Sequence, residues 1–348
     1  MRRPFRAMMA ALALAVVWVP SASRGGGAEW GGILSSNRTQ NVRLLAGAVL
    51  EFEGVVAETT RKVYEVTGAT ESQARAQTYG TSDFDLEGPY GTVGLSLDMA
   101  WKFFRLSLDT LFLNPSVSTI AKRDYYLSIG KDIDYQGTSY DRLMIPKNTP
   151  FSSEVFGNTT ELLLSFVPVG FRLGENIVLN PSLDVGLLLF GGQYEIDAGE
   201  STGVIQYLNP PEDFVVGGKA SGFIGMGAPQ WGPGLEMRLG PEGGVQAVVQ
   251  AHYLFFNYSG STGFFTTADH REKGLDFSHS NLRLRGQVEF PLRRGAWNIG
   301  LQAQFIETEG SVTSQATDPA EILAKRERFD KTFDFRVQSV LATIGLSF

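Results

Sequence analysis

Four residues in two polar segments could take part in acid–base chemistry. Asp83 and Asp85 stand two positions apart in the first segment, and Asp269 is followed directly by His270 in the second. Histidine and carboxylates are the usual groups that move protons in hydrolysis. Adjacent residues of a strand point to opposite faces, so an extended chain would not let Asp269 and His270 act together.

A second candidate is the run Phe277-Ser278-His279-Ser280-Asn281. A histidine that activates a serine is a common arrangement for nucleophilic catalysis. Here Ser280 directly follows His279, so the two side chains alternate in a strand, and His279 shares its face with Asn281. The same residues fit a simpler interpretation as polar filling, and this interpretation also covers His252, the third histidine.

The elements that would position these residues are easiest to see at the end of the chain. In the closing stretch 336–348 every second residue from position 340 onward is apolar, namely Val340, Ala342, Ile344, Leu346 and Phe348. The interleaved residues are smaller and more polar, so a strand here has one apolar face and one mixed face.

This stretch resembles the closing strand of the bacterial outer-membrane β-barrel proteins, which ends on an aromatic residue after alternating apolar positions. The resemblance implies recognition by the barrel-assembly machinery. Two families of outer-membrane enzymes are also similar in part. Omptin proteases are ten-stranded barrels with an Asp pair facing an Asp/His pair, but there the Asp and His are two residues apart. Outer-membrane phospholipases and lipid A deacylases contain His-x-Ser-Asn, one residue longer than the spacing of His279 and Ser280.

About ten segments show the same alternation. They span 41–53, 92–101, 103–113, 160–171, 177–190, 233–240, 245–256, 281–292, 297–305 and 336–348. The connections alternate between short ones, near residues 102, 175, 242 and 294, and long ones. We therefore predict an all-β fold: a closed antiparallel up-and-down transmembrane barrel of about 10 strands, with short periplasmic turns and long outer loops.

Two loop regions are less regular. The glycine-rich stretch 216–228 fits either a plug or a short helix, and residues 319–328 fit a short helix in the last loop. The apolar rows place Phe52, Phe112 and Phe305 in an outer aromatic girdle on the lipid side. A soluble sandwich would show the same alternation with the apolar row turned inward.

Composition limits the class of protein. The 348 residues include no cysteine, which excludes disulfides and thiolate metal sites, and the net charge of −7 does not favour nucleic acid. The basic start, the apolar run and the small residues that follow predict a signal peptide over 1–28, cleaved after Ser23 or Ala28. Residues 29–348 would then form one barrel domain in the outer membrane of a diderm bacterium.

If the apolar rows face lipid, the opposite rows bring charges of both signs into a narrow lumen, where they must pair. The predicted lumen charge network consists of Arg43, Glu51, Asp98, Arg105, Asp109, Glu161, Asp184, Glu236, Arg238, His252, Arg283, Arg285 and Glu289.

We expect a non-enzymatic structural or surface-binding protein that acts through its outer loops, without a cofactor or metal. A narrow small-solute channel and an outer-rim hydrolase are the alternatives. Expected partners are outer-membrane lipid and lipopolysaccharide, the barrel-assembly machinery and an unidentified surface ligand.

Overall fold

The computed structural model describes residues 27–30, 40–63, 73–208, 211–261, 273–314 and 331–348. Most of the predicted signal peptide, the Asp269–His270 pair and the predicted helix at 319–328 lie outside these residues.

Ten long strands follow the predicted segments. They are β2 (Gln40–Glu53), β5 (Tyr90–Ala100), β6 (Phe104–Leu113), β10 (Pro150–Phe166), β12 (Ile177–Asp197), β15 (Lys219–Leu239), β16 (Gln246–Ser261), β17 (Lys273–Pro291), β18 (Ala296–Ser314) and β19 (Lys331–Ser347). The shorter elements are β1 (Gly27–Trp30), β3 (Val55–Val63), β4 (Gln73–Gly80), the 3-10 helix η1 (Thr81–Phe84), β7 (Ser116–Ile120), β8 (Tyr125–Tyr135), β9 (Thr138–Ile145), β11 (Val169–Arg172), β13 (Gly203–Leu208) and β14 (Pro211–Val216).

The ten long strands close into one antiparallel barrel. From β2 to β19, each of the ten strands pairs with the next long strand along the chain, which gives nine pairs. The tenth pair joins β19 to β2 and closes the barrel. The last residue takes part in this closure, because Phe348 exchanges two backbone hydrogen bonds with Gln40. The predicted closed barrel of about ten strands is therefore confirmed.

The apolar rows face outward. Leu301 and Ile344 are 62% and 56% exposed on the outer surface, whereas Arg285 and Glu289 are 3% and 2% exposed inside. A soluble sandwich or barrel would bury the first pair and expose the second. The chain therefore has the architecture of the bacterial outer-membrane β-barrels.

Several strands are longer than a membrane crossing requires. About 9–11 tilted residues span the bilayer, whereas β12 and β15 each have 21 residues. The additional length continues at the end with the long loops, so the wall extends outward beyond the lipid. The plug or helix prediction for 216–228 is wrong, because residues from Lys219 onward form β15 and pair with β12. Pairing with a long neighbour overrides the weak strand propensity of the glycines.

One irregularity shifts the face of β2. Ser339 of β19 pairs with Val49 and Gln338 pairs with Glu51, so Leu50 is an extra residue in a β-bulge. Beyond the bulge the alternation is reversed. The side chain of Phe52 is 1% exposed inside the barrel, and that of Glu51 is 37% exposed on the outer side. Phe52 therefore does not belong to the lipid-facing girdle.

The connections at the outer end are largely ordered. The outer cover comprises the β3–β4 hairpin, η1 and a four-stranded sheet of order β13-β14-β9-β8. Phe84 of η1 packs on Tyr125 of β8 and on Phe151 of the barrel strand β10, with ring centroids 5.6 and 5.9 Å apart, and all three side chains are buried. This cover closes over the barrel mouth.

Candidate functional site: the lumen and its outer cover

The inward rows of the membrane-spanning half form a charged layer. It contains five arginines and six carboxylates, together with one histidine, and all are at least nine-tenths buried: Arg43, Arg105, Arg238, Arg283, Arg285, Asp98, Asp109, Glu161, Asp184, Glu236, Glu289 and His252. Isolated charges in such surroundings would be very costly, so their stability depends on pairing.

One chain of ion pairs crosses the lumen through β17. Arg285 contacts Asp98 at 3.2 Å and Asp109 at 2.9 Å, and Arg43 also pairs with Asp98. Arg283 contacts Asp109 at 2.7 Å and Glu161 at 2.9 Å. The neighbouring strands β2, β5, β6 and β10 are thereby tied to β17, which lies elsewhere around the wall.

A second chain connects β6, β15 and β17. Glu236 lies 2.6 Å from Arg105 and 2.9 Å from Arg238, and Arg238 continues to Glu289 at 3.3 Å. Gln287 joins this chain to the first, because it accepts from Arg43 at 3.0 Å and donates to Glu289 at 2.8 Å.

Asp184 and His252 form a separate pair. The Nδ1 atom of His252 is 2.7 Å from Oδ2 of Asp184, whose other oxygen accepts from Ser182 at 2.8 Å. A Cβ at position 234 would collide with Asp184 and Ser182, so glycine is required there for this close approach.

The structure brings together twelve of the thirteen residues predicted for the network, and Glu51 is the exception. Because of the bulge at Leu50, Glu51 points outward, where it contacts Arg336 at 3.4 Å. Seven buried amides complete the network but were not predicted: Asn180, Gln230, Gln250, Asn281, Gln287, Gln302 and Gln304. They occupy the same inward rows as the charges, so the alternation that identifies the charged residues also marks these uncharged polar ones.

An apolar layer lies above the charged layer. Leucines of four strands come first, and the rings of Phe52, Phe190 and Phe335 follow. The Phe190 and Phe335 centroids are 4.8 Å apart, and those of Phe52 and Phe190 are 5.7 Å apart. A cavity between the layers and another among the charges each have a volume of about 10 Å³, which is room for one water molecule. The two layers fill the bore.

The acids of the first candidate hydrolytic group hold the outer cover together. Asp83 contacts Arg123 at 2.9 Å, and Asp85 contacts Lys122 at 2.6 Å and accepts from Thr119. The Lys122 ammonium and the Thr119 hydroxyl keep the pKa of the Asp85 carboxyl below its usual value. Both carboxylates are thus engaged by side chains of the second loop.

His279 lies inside the barrel wall. Its Nδ1 atom is 2.8 Å from Thr308 Oγ1, and its Nε2 atom is 3.1 Å from Gln230 Oε1. Asn281 is buried on the same face, and Ser280 is half-buried on the opposite one. The described geometry therefore does not place a serine hydroxyl of this motif beside the imidazole.

Within the described residues, no group of three or more histidine or acidic side chains has the geometry to hold a metal ion. None of the helices described is long and apolar enough to cross a membrane.

Neither a protein-family model nor a curated protein sequence matches this chain. Among solved structures, the outer membrane protease OmpT from Escherichia coli aligns over 91% of this chain and 99% of its own, with 10% identity and a TM-score of 0.38. The toluene transporter TodX of P. putida aligns over 89% of both chains, with 9% identity and a TM-score of 0.21.

Proposed function

We propose that this protein is a sealed barrel of the outer membrane that holds the outer cover at the cell surface as a binding module. The observation that supports this most directly is the filled bore. The lumen side chains pair with one another across the barrel, and the apolar layer continues into the core of the outer cover. A solute path would need open space, and the cavities described hold about one water molecule each.

The outward surface supports an outer-membrane location. Leu44, Val185 and Leu301 are each about 62% exposed on three sides of the wall, as expected for a band in contact with hydrocarbon. Lipopolysaccharide would surround the wall, and the alternating apolar residues up to Phe348 suit recognition by the barrel-assembly machinery. The extended wall and ordered loops suit surface binding, since long ordered loops usually have a function.

Conductance of the refolded full chain in planar bilayers tests the seal. We expect no steps above the bare-bilayer baseline, with a large-pore barrel protein as the positive control. Regular conductance steps would overturn the proposal in favour of the channel.

Excision of part of the outer cover tests the binding role. Ala121 donates a backbone hydrogen bond of 3.0 Å to Thr149, so residues 122–148 can be replaced by a short glycine–serine turn. We expect this variant to retain heat-modifiable migration on gels, which reports the folded barrel, and to lose adhesion of expressing cells to host-cell or matrix surfaces. Equal adhesion by both proteins would contradict a binding role for this sheet.

A further inference from the structure

The barrel wall divides at one seam, between β15 and β16. On its other side, β15 pairs with β12 along its whole length, from Lys219 to Leu239. Its pairing with β16 stops at Trp231, opposite Phe255. Beyond that point β16 continues to Ser261, and among the described strands it pairs there with β17 alone. Two strand edges therefore diverge above Trp231, and we call this opening the fork.

Aromatic packing marks the base of the fork. The rings of Trp231 and Phe255 are 4.4 Å apart on the outer surface, and Tyr253 lies 6.0 Å from Phe255. Aromatic side chains of this kind are typical of the outer membrane interface. The fork therefore opens above the lipid, on the part of the wall that extends outward.

The two edges lack the usual protection of exposed strand edges. Natural sheets guard their edges with charges, prolines or short strands. Residues 220–230 and 256–261 contain no charged residue, and Pro229 is the only proline among them. No described strand pairs with the fork side of residues 220–230. The fork side of residues 220–230 therefore presents a row of backbone hydrogen-bond donors and acceptors.

The side chains at the fork also suit the close approach of another backbone. Gly225 and Gly227 are exposed on the outer face, and glycine within a strand often marks a place where another chain comes near. Phe223 stands above them, 85% exposed. On the inner face, Ala220 and Ala228 are 1% and 0% exposed, so this face is covered.

We propose that the fork binds an extended, uncharged peptide segment of a partner protein by β-strand addition. A strand in the fork would hydrogen-bond to β15, and to β16 on its other side, while alternate side chains contact Phe223 and Trp231. A second copy is a poorer occupant, because barrels inserted in the same direction present their β15 edges parallel and not antiparallel. This inference rests on the proposed surface-binding function and specifies where and how a partner would bind.

Hydrogen–deuterium exchange of the refolded full chain tests the proposal. The probe is an acetylated and amidated octapeptide of alternating valine and threonine, two residues that favour strands. Without peptide, amides of 220–230 should exchange faster than those of 183–193 in β12. With peptide, they should become protected. Equal protection before addition, or no gain at saturating peptide, would overturn the proposal. Protection that rises with protein concentration alone, together with a dimer on sizing, would assign the edge to a second copy and also overturn it.

Two matched variants locate the binding edge. Gly227→Lys puts a charge on β15 at the fork, and Gly191→Lys puts the same charge on the same outer face of β12, a strand paired on both sides. A Cβ added at Gly227 would meet only Leu189 Cδ2, at 3.4 Å, and one added at Gly191 would meet nothing within 4 Å. We expect Gly227→Lys to weaken peptide binding about tenfold or more and Gly191→Lys about twofold at most, since edge charges oppose strand addition. Equal effects would place the peptide elsewhere.

Conductance of the same preparation separates the two proposals. A conducting barrel would overturn the proposed function and leave the fork unaffected. A closed barrel whose residues 220–230 do not respond to peptide would overturn the fork proposal alone.

Discussion

The Nη1 atom of Arg283 lies 2.7 Å from Oδ2 of Asp109, although the two residues are 174 positions apart in the chain. The same nitrogen is 2.9 Å from Glu161. One side chain of β17 therefore holds two carboxylates of β6 and β10 on the opposite part of the wall, in a lumen where all three groups are buried.

Replacement of Arg283 by methionine should destabilise the barrel strongly. It leaves Asp109 and Glu161 buried with fewer partners, and breaking a buried pair by removing one member costs about 3–5 kcal/mol. The measurement is guanidinium unfolding in micelles, followed by tryptophan fluorescence.

The matched control for Arg283 is Arg336→Met. Arg336 also contacts several acids, but on the outer side of the wall, where its side chain is 30% exposed. Such pairs contribute at most about 1 kcal/mol. Equal losses in the two variants would show that burial does not strengthen the lumen pairs.

The sequence was sufficient to predict most of the ten barrel strands and which face of each strand is apolar. Rows such as Leu282, Leu284 and Val288 against Arg283, Arg285 and Glu289 alternate because one face meets lipid and the other meets the lumen. The alternation of short and long connections then identified the end of the barrel that carries the long loops. These features repeat in each strand, so a single ambiguous segment did not obscure them.

Other features depend on relationships that a single strand does not encode. The bulge at Leu50 arises between β2 and β19, and it reverses the faces of Glu51 and Phe52. Which acid Arg283 contacts depends on the diameter and stagger of the closed barrel. The strand at Lys219–Gln230 was missed because its glycines have low strand propensity, and pairing with β12 stabilises it.

The close approach of His252 to Asp184 should depend on Gly234. A methyl group there would collide with Asp184 and Ser182 and would lie 2.8 Å from Nδ1 of His252. We expect Gly234→Ala to destabilise the barrel by about 1–3 kcal/mol, as is usual for overpacking. The control is Gly286→Ala, because no atom lies within 4 Å of a Cβ at Gly286. Unfolding midpoints in micelles that fall equally would contradict the steric explanation.

The apolar layer should contribute stability without being needed for the seal. Phe190→Ala removes a ring packed against Phe52 and Phe335 and should cost about 3–5 kcal/mol. Because the charged layer lies beneath, we expect the variant to remain non-conducting in planar bilayers. Phe223→Ala is the control: Phe223 is 85% exposed on the neighbouring strand β15, so its loss should change stability by about 0.5 kcal/mol or less. Pore opening in Phe190→Ala would show that the charged layer alone does not close the bore.

The contact between Asp85 and Lys122 should give the outer cover a weak dependence on acid pH. Because the folded state lowers the pKa of Asp85, the contribution is complete above the unfolded value of about 3.9 and disappears as the pH falls through the folded value. The pair is exposed, with side chains 58% and 38% accessible, so its contribution is at most about 1 kcal/mol. We expect the wild-type protein to unfold at a higher temperature than Asp85→Asn at pH 7. The difference should shrink as the pH falls below the unfolded value of about 3.9 and through the folded pKa, because the wild-type carboxyl then becomes protonated and as neutral as the amide. Thermal unfolding of both proteins across this range measures the difference directly, and a gap that stays constant down to pH 2 would show that charge at Asp85 does not stabilise the cover.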